Sequence, residues 1–269
     1  WERLAAGPLA GKPVRRLIAT HGHPDHIGLA GWVADRFDAP FVSTRAAWLW
    51  ARVSHASSAQ ATSSHALRFL ASHGVGTDNI AAYASDRGIT SRLVGPPPMG
   101  FERIVDGRVL SIGGRDWHTI VADGHADEHA SFMTHDGGIL IAGDQILQRI
   151  SPVIGVFPGE PVGDPLTDYL DSLPRFRALP ATTLVLPSHG LPFYGLHARV
   201  RQLADHHELR LAKALAALDR PSTATECSAH LFDRKLVEGQ WLLTLAETLA
   251  HLHHLVTVGH VRRSVAAAG

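Results

Sequence analysis

Cysteine is nearly absent from this sequence: Cys227 is its single cysteine among 269 residues. One cysteine excludes a disulfide framework, and it also excludes a zinc ion held by several thiolates. We expect Cys227 to be a small buried side chain. Any metal chemistry in this protein must therefore use nitrogen and oxygen ligands.

The sequence also lacks net charge, because 25 Lys and Arg residues balance 25 Asp and Glu residues. No overall field attracts a nucleic acid or an anionic membrane. The balance argues against a protein whose main activity is to bind polyanions, although a local basic patch stays open.

Long apolar runs are absent as well. No run approaches the ~18 residues that cross a bilayer, and no signal-like segment opens the chain. We therefore expect a cytoplasmic protein without a membrane partner. The apolar fraction of 45% and the charged fraction of 19% are typical of a globular protein with a sizeable core, in one large domain or two.

Histidine, by contrast, is abundant, with 19 residues. Three of them, His21, His23 and His26, lie with Asp25 in the segment THGHPDH, which follows a short apolar run. A packed core gains nothing from three adjacent imidazoles, whereas a shared cation replaces the protons for which they would compete. The segment therefore predicts a metal site at the end of a buried strand.

Three further metal-capable side chains follow apolar, strand-like runs: His125 in GHADEH, Asp144 in LIAGD and His189 in LPSHG. Because strand ends in α/β folds gather at one edge of a sheet, we expect them to converge with the first segment. Five imidazoles and two carboxylates suit two borderline divalent cations, with zinc favoured and iron or manganese also compatible.

The segment THGHPDH resembles the T-H-x-H-x-D-H signature of the metallo-β-lactamase fold superfamily, and the three later motifs fall in the order that this superfamily uses. The resemblance covers residues 14–200 and implies an α/β fold, the αββα metallo-β-lactamase sandwich. It implies two metal ions with the following ligands: His21, His23 and His125 for the first, Asp25, His26 and His189 for the second, and Asp144 as the bridge.

The same resemblance implies a hydrolase in which a hydroxide bridging two metals attacks a small ester, thioester or lactone. Catalytic roles fall to Asp25, His129 and Tyr194. His129 lies four residues after His125, and Tyr194 follows His189 closely enough to reach the same pocket. The partner is then a small-molecule substrate, and no serine or cysteine nucleophile is needed.

Two other functions of the same fold stay open. One is an endoribonuclease or phosphodiesterase, which the neutral charge and the few basic residues of segment 45–90 disfavour. The other is a mononuclear-iron sulfur dioxygenase, which the motifs do not exclude. A non-catalytic winged-helix regulator is disfavoured by the intact ligand set.

The motifs GHADEH, AGDQIL and LPSHG, with a helical tail, most resemble the glyoxalase II-like and β-lactamase-like protein 2 branch. We expect a catalytic domain at residues 1–200, in which a helical insertion at 45–98 lines the pocket. A winged-helix-like domain is expected at 201–269, with three helices and a terminal strand at 260–265. This domain should pack on the catalytic domain or on a second subunit, so a homodimer stays open.

The resemblance has one departure at the start of the chain. Family members carry leading strands and an Asp-Thr-Gly segment before the first motif, whereas this sequence begins without them at Trp1. We therefore expect further residues before Trp1 in the natural protein. Without such residues, one sheet edge would be left open.

Local patterns predict several elements. Asp106-Gly107 and Gly113-Gly114 are the strongest hairpin signals, and residues 45–90 predict two or three helices. A cap at Ser222 or Thr223 should start a helix. Residues 239–258 predict a helix with this apolar stripe: Leu242, Leu245, Leu249, Leu252 and Val256.

The other histidines lack the carboxylate and strand context of the motifs. We expect helix surfaces or pocket walls for His55, His65, His73, His206 and His207. No metal is expected at His251, His253 and His254. Arg262 and Arg263 should lie on a solvated face, because the tail carries acidic residues as well as basic ones.

Overall fold

The computed structural model of the protein describes residues 1–57, 63–85, 93–232 and 240–264. The chain forms two compact units, each assembled from separate segments. The first unit comprises Trp1–Gln60, Arg87–Val121 and Ala126–His135. The second unit comprises Ala61–Asp86, Ala122–His125 and Asp136–Gly269.

The first unit contains a three-stranded parallel sheet in the order β1-β2-β3. Its strands are β1 (Leu17–Ile18), β2 (Phe41–Ser43) and β3 (Glu102–Arg103). Helices in its described part include α1 (Glu2–Ala6), α2 (Pro24–Ile27), α3 (Ala30–Phe37) and α4 (Arg45–Ser57). Parallel neighbours need a crossover, and α2 and α3 supply the one between β1 and β2.

A hairpin in the first unit confirms one turn prediction. Strand β4 (Val109–Ile112) pairs antiparallel with β5 (Arg115–Ala122), and β6 (His129–Thr134) lies next to β5. Gly113 and Gly114 form the two-residue loop, with φ of +60° and +75°. Positive φ at both positions is what a type I′ turn requires, and it favours glycine.

The hairpin prediction at Asp106-Gly107 is wrong. Strand β3, which precedes this turn, pairs in parallel with β2 instead of pairing with β4. The turn is stabilised differently, because Asp106 Oδ1 accepts a hydrogen bond from Val121 N–H at 2.8 Å. A strong turn signal identified the turn but not the partner of the strand before it.

The second unit contains a parallel strand pair, β7 (Ile139–Gly143) and β8 (Leu184–Pro187). Between them in sequence lies α7 (Pro165–Arg177), which begins after Asp164, whose Oδ1 accepts from Thr167 N–H at 3.1 Å. The buried face of α7 has helical spacing and comprises Leu166, Tyr169, Ser172, Leu173 and Phe176.

The described part of the second unit contains five further helices: α5 (Ser64–Ser72), α6 (Thr77–Ser85), α8 (Leu196–Ala216), α9 (Ala224–Leu231) and α10 (Trp241–Thr257). Thr223 and Glu226 form a reciprocal capping box at the start of α9, which confirms the cap prediction. Cys227 is buried, as expected. Among the described residues, no helix combines the length and hydropathy that a membrane span demands.

Two predictions for the C-terminal helices are wrong. The expected terminal strand does not form in its described part, because residues 260–264 contain only turns and irregular backbone. The apolar stripe of α10 is confirmed at Leu245 and Leu249, which are buried, but it is wrong at its end, since Val256 is exposed and Leu255 is buried against Ala214 and Leu231. Packing against α8 and α9 therefore selects a different face of the helix end from the one that spacing suggested.

Candidate metal centre

The first group of metal-capable side chains lies in the first unit, in the loop that follows β1. Ala19 N–H donates to Val42 O at 3.0 Å, which continues the β1–β2 pairing by one residue. Helix α2 then begins at Pro24, a favoured residue in a first helical turn, where a missing N–H costs nothing. The loop and this short helix together carry His21, His23, Asp25 and His26.

His21 is the centre of this group and is fully buried. Its Nε2 lies 3.0 Å from His23 Nδ1. Its ring centroid lies 4.0 Å from that of His26 and 4.8 Å from that of His129. Asp25 Oδ2 lies 3.4 Å from His26 Nε2. We call these five residues the histidine-rich cluster.

His129, the member of this cluster that lies farthest along the chain, begins β6 and is fully buried. Its ring stacks on His21 with an interplanar angle of 29°. The next residue, Ala130, donates its N–H to Thr20 O at 2.7 Å, which joins the start of β6 to the histidine loop. His129 therefore supports His21 directly, a placement that the spacing of the motifs did not decide.

Helix α4 lies beside the cluster, in the segment 45–90 where the sequence predicts helices, but no sequence pattern singled out its Trp50. The Trp50 ring centroid lies 6.2 Å from that of His23. A Cβ on Gly22 would lie 3.0 Å from Trp50 Cβ, so a larger residue here would require Trp50 to shift. Glu128 Oε2 accepts from Ala46 N–H at 2.8 Å and holds the first turn of α4.

The second group lies in the second unit, near the ends of β7 and β8. Asp144 directly follows β7, and His189 is the second residue after β8. Because these strands are parallel neighbours, their C-terminal ends lie side by side. Asp144 Oδ2 lies 3.5 Å from His125 Nε2 and 3.4 Å from His189 Nε2. We call these three residues the Asp144 cluster.

The hydrogen bond of His125 fixes its tautomer. Its Nδ1 lies 2.9 Å from Val153 O, and a carbonyl oxygen can only accept. Nδ1 therefore carries the proton, and Nε2 presents its lone pair toward Asp144. A backbone carbonyl on the outer nitrogen is typical of metal-bound histidine.

The donor atoms of both clusters fit a borderline divalent cation. Two ligands about 2.0–2.2 Å from one tetrahedral metal lie about 3.3 Å apart, close to the 3.0–3.5 Å separations measured inside each cluster. Within the histidine-rich cluster, the ligand atoms of His21 and His23, of His21 and His26, and of Asp25 and His26 lie within 4.8 Å. Imidazole nitrogen and carboxylate oxygen are also the ligands that zinc and iron accept without cysteine.

A family model described as the metallo-beta-lactamase superfamily matches residues 1–189. The chain belongs to this superfamily. A second model, described as the metallo-beta-lactamase-like C-terminal domain, matches residues 211–269. The protein thus has the α/β metallo-beta-lactamase fold followed by a helical C-terminal domain, which confirms the coarse fold prediction.

Curated relatives of this superfamily member include hydrolases. A probable metallo-hydrolase of Bacillus subtilis, YqjP, is 26% identical over 93% of this chain and 77% of its own length. An atrochrysone carboxyl ACP thioesterase of Aspergillus fumigatus is 25% identical over 45% of this chain and 36% of its own length. Together with the His-rich candidate site, these matches make the chain a metallo-hydrolase of the superfamily.

Two solved structures resemble nearly the whole chain. A beta-lactamase domain protein of Burkholderia ambifaria has a TM-score of 0.89 and 35% identity, covering 98% of this chain and 76% of that protein. The metallo-beta-lactamase family protein TTHA1429 of Thermus thermophilus has a TM-score of 0.77 and 31% identity, covering 93% of this chain and 77% of that protein.

Tyr194 differs from the other candidate site residues in its exposure. Its side chain is 71% exposed, whereas His21, His129 and Asp144 are buried. The neighbouring His197 uses its Nε2 in a 2.7 Å contact with Leu179 O. A role for Tyr194 therefore depends on contact with a substrate rather than on contacts within the protein.

The surface prediction for the remaining histidines is wrong for two of them. His207 is fully buried between α7 and α10, and His73 is buried at the end of α5. In the described part of the chain, no candidate metal group includes His251, His253 or His254. Each of these three instead contacts a hydrogen-bonding group: His207, Gly163 O and Thr167 Oγ1, respectively.

Proposed function

We propose that this metallo-hydrolase uses a dinuclear metal centre to hydrolyse a small thioester, ester or lactone. The ligands follow the family pattern: His21, His23 and His125 for one metal, Asp25, His26 and His189 for the other, and Asp144 as the bridge. Zinc is the proposed metal, because the ligand set contains imidazole and carboxylate and no thiolate.

The observation that carries this proposal is the position of Asp144. A single carboxylate oxygen, Oδ2, lies 3.4–3.5 Å from the Nε2 atoms of two histidines that the family pattern assigns to different metals. A carboxylate that bridges two cations must lie between the ligands of both. The tautomer of His125 supports the same role, because Val153 O leaves Nε2 as the ligand atom.

Residues of the chain position the ligands and contact the substrate in this proposal. When bound, two divalent cations lower the pKa of a bound water toward neutrality and polarise the substrate carbonyl. His129 holds the ring of His21 in place, and Trp50 offers an apolar surface beside His23 for the acyl part of a substrate. Tyr194, being exposed, is free to donate a hydrogen bond to the substrate.

The thioester is the first substrate class to test. The thioesterase among the relatives acts, by its name, on an acyl carrier protein thioester, and its matched segment covers less than half of this chain. The most direct experiment is metal analysis of purified protein, followed by assays with a thioester, a lactone, a phosphodiester and RNA. Two metals per chain with thioester or lactone hydrolysis would support the proposal. Cleavage of RNA alone, or a single iron with sulfur oxidation, would replace it by one of the alternatives.

A variant tests the bridging role separately. Asp144→Ala should lower metal content and should lower hydrolysis more than about 100-fold, because even outer partners of metal ligands contribute 10–100-fold. Asp205→Ala is the matched control, since Asp205 is an exposed aspartate on α8. Full metal content and full activity in Asp144→Ala would rule out the bridge.

A nucleic-acid role finds no support in the contacts of the C-terminal basic residues. Arg263 Nη2 lies 3.4 Å from His73 Nε2, so one of the two tail arginines is used in packing within the second unit. Thr225 also donates to His73 O, through its N–H at 3.1 Å and its Oγ1 at 3.0 Å. These contacts support a packing role for the tail.

A further inference from the structure

Tyr169 lies directly behind the Asp144 cluster, within the second unit. Its side chain is fully buried on α7. Its hydroxyl donates to Gln145 O at 3.1 Å, and Gln145 immediately follows Asp144. Desolvation raises the pKa of the Tyr169 hydroxyl, so this group stays protonated and acts as the donor. The backbone beside Asp144 is thereby tied to the helix.

The side chain of Gln145 ties a second loop to the same helix. Its Nε2 donates to Asp123 O at 3.2 Å and to Ser172 Oγ at 2.9 Å. Ser172 Oγ in turn donates to Tyr169 O at 2.7 Å. Asp123 lies two residues before His125, so one buried amide connects the backbone before His125 with the backbone after Asp144.

The loop before His125 also packs on the backbone of Tyr169. Gly124 has a φ of +107°, and a Cβ added to it would lie 2.4 Å from Tyr169 Cβ and 2.5 Å from Tyr169 Cα. Real Cβ atoms do not approach so closely, so the contact requires glycine. The same tyrosine therefore contacts the chain next to two proposed metal ligands.

We infer that Tyr169 is a positioning residue for the metal centre: with Ser172 and Gln145, it holds His125 and Asp144 at the separation that a shared metal requires. This inference rests on the proposed function. Beyond the proposed function, the inference states that α7 sets the position of two metal ligands, although α7 itself carries no ligand in the family pattern. Tyr169 acts through these neighbours, without a role in touching the substrate or the metal.

Tyr169→Phe tests the inference, because it keeps the ring and removes only the hydroxyl. The variant should lose metal to a chelator about tenfold faster than the unchanged protein, as is typical for outer partners of metal ligands. Its kcat should fall with little change in KM, because substrate contacts are untouched. Thr248→Val is the matched control: Thr248 is a fully buried hydroxyl whose bond, to Thr244 O, stays within α10.

A structural role alone predicts a different result. If Tyr169→Phe and Thr248→Val lower the thermal midpoint of the metal-free protein equally and both release metal at the unchanged rate, the inference is wrong. Ser172→Ala provides a second variant if Tyr169→Phe does not fold, and it should release metal faster by a similar factor. In the double variant, Tyr169→Phe with Ser172→Ala, metal release should be accelerated by less than the two single effects combined, since both residues act through Gln145.

These measurements separate this inference from the proposed function. Metal stoichiometry and substrate assays of the unchanged protein decide the proposed function. The chelator experiment decides the role of Tyr169 whichever substrate is hydrolysed, because its readout is the release of metal. Unchanged metal release in both Tyr169→Phe and Ser172→Ala would overturn the inference and leave the proposed function standing.

Discussion

Two groups of buried histidines in this protein look alike at short range but differ in chemistry. In the histidine-rich cluster, His21 Nε2 lies 3.0 Å from His23 Nδ1. In the second unit, His207 Nδ1 lies 3.2 Å from His251 Nε2. Both contacts join a fully buried histidine to a second imidazole at hydrogen-bond distance, so neither a buried histidine nor this spacing alone identifies a metal site.

His207 on α8 and His251 on α10, the His207–His251 pair, are linked by hydrogen bonds that end at a backbone carbonyl. His251 Nδ1 donates to Glu247 O at 2.7 Å, which leaves His251 Nε2 as the acceptor for His207 Nδ1. Desolvation, together with a smaller effect of the charge of Arg210, lowers the pKa of His207 to about 2 and that of His251 to about 4. The nearest carboxylate, Glu247, is paired with Arg210 rather than with a histidine.

The histidine-rich cluster differs from this pair in the groups that surround its histidines. Four imidazoles gather there with Asp25, three of them from the loop after β1 and from α2 and the fourth, His129, from the start of β6. The His207–His251 pair consists of two imidazoles and one backbone carbonyl, Glu247 O. The difference teaches that a carboxylate and a third or fourth donor, rather than two neighbouring histidines alone, distinguish the candidate metal centre from histidines of the core.

The largest expected effect separates the two groups by metal content. His21→Ala should abolish metal binding and lower hydrolysis more than about 100-fold, because it removes a proposed ligand and the ring on which three others pack. His207→Leu should retain full metal content. Metal analysis and hydrolysis rates check both variants. Equal metal loss in the two would show that the histidine-rich cluster and the His207–His251 pair do not differ in metal binding.

The second effect is the dependence of stability on pH. Because the folded pKa values of His207 and His251 are lowered, the unfolded state binds more protons below about pH 6.5, and the free energy of unfolding falls as pH falls. From pH 7 to pH 5, the unchanged protein should lose about 4 kcal/mol more than His207→Leu with His251→Leu, at 1.36 kcal/mol per unit of pKa shift. Urea titrations of metal-free protein measure this difference.

Other groups beside the pair also titrate or carry charge. Arg210 and His206 lie next to His207, and burial lowers the pKa of His206 as well. Glu247 acts in the opposite sense, because desolvation raises its pKa to about 7 and acid then favours the fold. It is present in both proteins of the comparison. An equal loss in the two proteins would show that the histidine pair does not cause acid destabilisation.

The third effect concerns the pair at pH 7.5. His207→Leu alone should lower the free energy of unfolding by about 1–3 kcal/mol, because it leaves the buried His251 Nε2 without its donor. Replacing both histidines by leucine should change it by less than about 1 kcal/mol, because no polar atom is then orphaned. Denaturation of the single and double variants decides this, and a double variant less stable than the single one would contradict it.

The smallest effect tests the tail. His73 Nδ1 lies 2.7 Å from Phe69 O, so its Nε2 accepts from Arg263. Arg263→Ala should lower the free energy of unfolding by about 0.5–1 kcal/mol and leave RNA binding unchanged. Arg262→Ala is the control for charge. Salt-sensitive RNA binding that disappears when both arginines are replaced would favour the nuclease instead.

The parts of the site that could be predicted from sequence are those carried by local motifs. THGHPDH placed several donors within a few residues, so their proximity needed no knowledge of the fold. The order of GHADEH, AGDQIL and LPSHG indicated the family, which the family model over residues 1–189 then showed. The position of all seven ligands around one dinuclear centre stays a prediction.

The residues that sequence patterns missed act across long separations in the chain. Tyr169 is 24 residues from Gln145, and Glu128 is 82 residues from the Ala46 N–H that it holds. Neither residue type is unusual for a helix or a loop. Gly124 alone is suggestive in the sequence, because it is a glycine next to a motif histidine. The structure explains it, since Tyr169 packs too closely against Gly124 for a Cβ.

The sequence by itself determined the donor types, the strand–motif order and the helices of the tail, because each depends on neighbours within a few positions. The tertiary structure decided which histidines are core residues, which face of α10 is buried and which helix holds the Asp144 loop. These features depend on desolvation and close packing between distant segments, and local spacing contains no information on either.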